Sequence, residues 1–148
     1  MAMLRILLAS DGSRGAFLAA DWVRRCASQN ELEVHVAVVE RQVTVPMATP
    51  FEPGTITYKD AKQNAEVEAQ EALELTLERL QITSRDHATV LNGPVVQELV
   101  NHAAALQADM IVVGRRGHGL LESVVLGSVS LGLVRHSHIP VLVVPAQP

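Results

Sequence analysis

Aromatic side chains are scarce in this chain, with one Trp, one Tyr and two Phe among 148 residues. A stacking surface for single-stranded nucleic acid needs more rings than that, so Val, Leu, Ile and Ala must supply the core. Cysteine is nearly absent: Cys26 alone excludes an internal disulfide and a thiolate metal cluster. It lies four residues after Trp22 in helical sequence and reads as a buried, reduced thiol, which suits a reducing compartment. No apolar run approaches the roughly 18 residues of a membrane span. The opening "MAMLRILLAS" is too short for a secretory signal and lacks a small-residue cleavage pattern. Positive charge is also in deficit, with 12 Lys and Arg against 16 Asp and Glu and a net charge of −4. Nucleic-acid binding normally requires a basic face. The expected address is therefore cytoplasmic, with neither a nucleic acid nor a membrane as partner.

What remains is regular. Hydrophobic residues make up 48% and charged residues 19%, a globular composition of a length that fits one domain spanning 1–148. "LRILLAS" (4–10) reads as a buried strand, followed by the turn "DGS" with Ser13 as helix cap. Ala16, Ala19, Ala20, Val23 and Ala27 then recur at helical spacing. "EVHVAVVE" (33–40) is a second strand, and 41–58, with three prolines and a glycine, a long loop. A helix is expected over 59–80, a short strand over 87–93, a helix over "VVQELVNHAAAL" and a strand at "DMIVVG". A last helix from near Gly127 to Ser137 and a strand at 140–145 complete a strict β-α alternation. That alternation predicts an α/β fold, a parallel sheet with helices on both faces. The first and fourth strands are apolar throughout, as burial on both sides requires.

Between the fourth strand and the last helix lies "GRRGHGLLESVVLGSVS" (114–130), with glycines at 114, 117, 119 and 127. Ligands of open α/β sheets sit beyond the strands' carboxyl ends, where the winding reverses. In a 3-2-1-4-5 order that point brings "SDGS" and "GRRGHG" together as two walls of a crevice. Glycines let a ligand approach the backbone. N–H groups of Gly114, Gly117, Gly127 and Ser128, the hydroxyls of Ser128 and Ser130, and a helix N-terminus are the expected anion cradle. Hydrogen bonds to charge are worth roughly 1.5–3 kcal/mol each, so four or five exceed the ~8 kcal/mol of micromolar affinity. The spacing is neither a P-loop nor the dinucleotide fingerprint, and a merely structural turn is the alternative reading.

Gly114-x-x-Gly117, nine residues, then Gly127-Ser128 matches the pattern G-x2-G-x9-G-[S/T] of the ATP-binding universal stress proteins. "ILLASDGS", "NGPVVQELVNHAAALQADMIVVGRRG" and "LGSVSLGLVRHSHIPVLVVP" also resemble segments of that family. The resemblance implies a flavodoxin-like fold of order 3-2-1-4-5, ATP in the crevice and a homodimer. It implies that Gly114, Gly117, Gly127, Ser128 and Ser130 contact phosphates and ribose, with Arg116 and Val129 in the same segment. Asp11 falls on the family's nucleotide-site aspartate, and Val38 on the strand end that lines its adenine pocket. Arg115 stands where family members often carry a small polar residue.

Asp11 beside a triphosphate poses an electrostatic problem, because two negative charges 4 Å apart repel by about 4 kcal/mol at an effective dielectric of 20. It must face ribose or base donors, share Mg²⁺ with the phosphates, or simply cap the helix. Arg115 and Arg116 are a phosphate clamp or a solvated pair. His136-x-His138 and His118 lack a third ligand at suitable spacing. His118 and Glu122 lie near the expected phosphates, yet nothing fixes a water-activating geometry, so turnover is expected to be slow or absent. Three functions stay open: an ATP-occupancy signal in a stress response, a slow ATP hydrolase or phosphotransferase, and a nucleotide-free dimeric interaction module. The last strand, apolar on both faces at 141–144, is the expected dimer edge.

Overall fold

Strand β1 (Leu4–Ser10) lies between two parallel neighbours, β2 (Leu32–Glu40) and β4 (Met110–Gly114). With β3 (Ala88–Asn92) and β5 (Val141–Val144) they form a five-stranded parallel sheet of order β3-β2-β1-β4-β5. The computed structural model describes residues 3–44, 57–116 and 126–146. Four helices connect the strands: α1 (Arg14–Ala27), α2 (Tyr58–Leu80), α3 (Val95–Leu106) and α4 (Ser128–His136).

Alternation along the strands decides which helices cover which face. Ile6 and Leu8 of β1 pack with Ala19, Ala20 and Val23 of α1 and with Leu73 and Leu77 of α2. Leu7 and Ala9 point the other way, onto Leu99 and Ala103 of α3 and Leu133 of α4. Residues one apart thus belong to opposite layers, as a period of two dictates. Ile6, Leu7, Leu8 and Ile111 are at most 1% exposed. Burial of each such side chain contributes about 1.5–3 kcal/mol.

The helices start where capping chemistry is available. Ser13 caps α1 by accepting from the Ala16 N–H at 3.2 Å. Thr57 and Asp60 form a reciprocal capping box on α2. Helix α4 begins at Ser128 because Gly127, with φ −67° and ψ 163°, is its non-helical cap. Cys26 is half-buried rather than buried. It lies in the last turn of α1, off the Ala16–Ala19–Ala20–Val23 stripe that meets the sheet. Among the described residues, no helix is long and apolar enough to cross a membrane.

Candidate functional site at the sheet's switch point

The winding reverses between β1 and β4, and the turn after β1 is held there by a chain of hydroxyls. Gly12 N–H donates to Ser10 Oγ at 3.2 Å, and Ser10 Oγ lies 2.8 Å from Thr76 Oγ1 on α2. Thr76 in turn donates to the Ala72 carbonyl at 2.6 Å, which leaves Ser10 as donor to Thr76. Gly12 has φ +73°, and a Cβ there would sit 2.9 Å from the Ala72 Cβ, so both conformation and space demand glycine. Asp11 is consequently presented outward, exposed, with Oδ1 accepting from the Ser13 N–H at 3.0 Å.

The second wall meets the first almost without side chains between them. A Cβ on Gly114 would lie 2.5 Å from the Gly15 backbone, and one on Gly15 would collide with the Arg116 carbonyl. Gly114 therefore serves the close approach of β4 to the first turn of α1, and Gly15 is its unforeseen counterpart. Beyond β4, the Arg115 N–H donates to the Val144 carbonyl at 2.8 Å. The Arg115 carbonyl accepts from the Gly127 N–H at 2.8 Å and from Ser130 Oγ at 3.0 Å. This staple ties the strand end to the start of α4.

Two donors anticipated for a ligand are thereby committed to the protein itself. The Gly127 N–H belongs to the staple. Ser130, 2% exposed, has its hydroxyl 3.0 Å from the carbonyls of both Arg115 and Gly127. The anion-facing capacity passes to the first turn of α4. Its first intrahelical bond is Leu131 N–H to Gly127 carbonyl at 2.9 Å, so Ser128, Val129 and Ser130 N–H groups have no intrahelical acceptor. The positive end of the helix dipole adds to them.

Between the walls lies a cavity of about 760 Å³, within the range of small-molecule sites. Its apolar part comes from Ala9, Val39, Val95, Leu99 and Val113, and its polar rim from Asp11, Arg41, Gln42, Arg116 and Ser128. Gly114, Gly127, Val129 and Ser130 also line it. Of the expected site residues, Val38 is displaced: it is 2% exposed in the layer under α1 and α2 and borders a smaller neighbouring cavity. Val39 takes the place expected for it, because a one-residue change of phase moves a strand residue to the other face. Gly117, His118 and Glu122 lie outside the described residues. Arg115 does not border the cavity, whereas Arg116 does. Arg41 and Gln42, just past β2, also line it, although their loop sequence carries no periodic signal that marks them.

Residues 3–145 match the model of the universal stress protein family. The chain belongs to this family. A universal stress protein of Mycobacterium tuberculosis is 31% identical over 161 aligned residues, covering 98% of this chain and 49% of the relative. One from Thermus aquaticus is 34% identical, covering 94% and 96% respectively. The chain thus spans about half the length of the mycobacterial relatives it matches. Among solved structures, a universal stress protein in complex with cAMP superposes with TM-score 0.64 at 23% identity, covering 98% of each chain. An Arabidopsis thaliana family member with AMP bound gives 0.66 at 16% identity, covering 97% of this chain and 92% of that one. At such identities the likeness establishes the fold that this universal stress protein shares with them.

Proposed function

We propose that this universal stress protein binds an adenine nucleotide, ATP foremost, in the cavity between the β1 and β4 loops and uses occupancy as a signal. The observation that carries this reading is the pairing of an apolar cleft with a helix N-terminus at the sheet's switch point. Val39, Val95 and Leu99 suit the faces of a purine. The first turn of α4, with the Ser128 hydroxyl and Arg116 on the cavity wall, suits phosphate oxygens. The cAMP and AMP complexes of structural relatives support the same ligand class. Asp11 at the rim would share Mg²⁺ with the phosphates, the ion neutralising charge between carboxylate and polyphosphate. Gly117 belongs to the same proposed phosphate loop.

The proposal includes a homodimer through β5. The Val144 carbonyl accepts from Arg115 and the Pro140 carbonyl from Ile111, so the even-numbered groups of this strand face β4. Val141 and Val143 then direct their N–H and carbonyl groups to the open edge. Val134 on the adjacent α4 is 52% exposed, which supports a covered edge.

Freshly purified protein, denatured and analysed by mass spectrometry, tests the ligand. Released ATP is the expected result. Released ADP or AMP alone would favour a hydrolase, and protein that carries no nucleotide and gives no heat with ATP would overturn the reading.

A further inference from the structure

At the opposite end of the sheet from the nucleotide crevice, three chemically distinctive side chains converge. Glu33 and His35 occupy alternate positions of β2 and so share one face. His87, just before β3, is pinned beside them because its carbonyl accepts from the Val36 N–H at 2.7 Å. The His35 and His87 rings stack with centroids 4.2 Å apart and planes 3° from parallel. His35 Nε2 lies 2.7 Å from Glu33 Oε1, and one ligand atom from each of the three residues falls within 4.8 Å of the others. We propose that Glu33, His35 and His87 form a divalent transition-metal site, of the kind zinc occupies.

The donor set argues for this class of ion. Two imidazoles and a carboxylate suit Zn²⁺, Ni²⁺ and Cu²⁺ rather than the all-oxygen cations. Arg5 grips the Glu33 carboxylate through Nε and Nη2, both at 3.0 Å, and anchors its own Nη1 on the Leu106 carbonyl at 2.7 Å. That clamp orients the carboxylate as a supporting partner does in metal sites. Its charge also opposes a dication, so the affinity expected is micromolar rather than that of a closed structural site.

Metal entry replaces the hydrogen bond between His35 Nε2 and Glu33 Oε1: with the ring proton on Nδ1, the Nε2 lone pair faces the ion. Tetrahedral bonds of about 2.0–2.2 Å require the two atoms to open from 2.7 Å to about 3.4 Å, a shift side-chain torsions can supply. His35 and Glu33 are 12% and 17% exposed, whereas His87 is exposed and free to swing its ring over the ion. Access is therefore from the His87 side.

The test is calorimetric titration of ZnCl₂ into metal-stripped, nucleotide-free protein at pH 7.5. One saturable site per chain is expected, weakened more than about tenfold by His87→Ala and unchanged in a His136→Ala, His138→Ala double variant. In unmodified ¹⁵N-labelled protein, zinc should shift the ring nitrogens of His35 and His87 while leaving those of His136 and His138 in place. Absence of saturable binding, a smaller loss in His87→Ala, or ring shifts confined to other histidines would each overturn the proposal. None of these readouts depends on whether the crevice binds ATP.

Discussion

At the scale of single residues, function turns on atoms that are missing as much as on those present. A Cβ at Gly127 would stand 3.2 Å from the Arg115 carbonyl, at the mouth of the first turn of α4. Gly127→Val should therefore abolish ATP binding in isothermal titration while leaving the circular dichroism unchanged. Asp11→Asn separates two roles. If Asp11 shares Mg²⁺, affinity falls in Mg²⁺ but not in EDTA, and an equal loss in both buffers assigns it to ribose or base donors. Protonation has a residue-scale signature too. Burial, and then the nearby His35, lower the pKa of His102 from 6.5. The unfolded chain then binds more protons in the window just below 6.5, so stability falls as pH drops through it. Below the folded value it levels off, and His102→Gln should remove this slope from denaturant midpoints measured between pH 7.5 and 5. Glu33 behaves oppositely in range: hydrogen bonds from Arg5 and His35 lower it to about 2 from 4.5. Its contribution is present above 4.5 and is lost progressively as pH falls from there through about 2.

Elements meet here by backbone contact, which makes glycine a packing residue. The first turn of α1 touches the end of β4 at Gly15 and Gly114, and α4 crosses α3 at Gly132, where a Cβ would lie 2.6 Å from Val96 Cγ2. Gly15→Ala forces the Arg116 backbone away from α1. Overpacking of this kind costs about 1–3 kcal/mol, read as a lower urea midpoint. Because the displaced segment carries the proposed phosphate contacts, ATP affinity should fall in the same variant under conditions where it remains folded. Loss of stability with unchanged affinity would uncouple the β4–α4 loop from the ligand.

Across the whole molecule, the sheet ends in an open strand whose outward groups belong to Val141 and Val143. Under the proposed twofold pairing, Val143→Pro removes an outward N–H and should yield a folded monomer by sedimentation. Leu142→Pro instead removes a group facing β4, so it should destabilise the subunit itself. A monomeric unmodified protein at tens of micromolar, with and without ATP, would remove β5 from the assembly.

The sequence by itself determined the order of elements, because periodicity is local, and two-sided burial marks β1 and β4 as central; the strand order followed from the family resemblance and agrees with the sheet. It also marked the segment proposed to hold phosphate, since a glycine-serine motif keeps its chemistry within a short stretch. Only the tertiary structure decided the phase of β2, where Val38 and Val39 are equally apolar and nothing local says which faces the crevice. It likewise decided that Gly15 is needed for packing and that the Gly127 N–H and Ser130 hydroxyl serve the protein before any ligand. The pairing of His35 with His87 was invisible beforehand, because those residues become neighbours only through the register of β2 against the entry to β3. Such facts depend on which atoms end up opposite one another, and pairing across strands and layers, not local pattern, sets that.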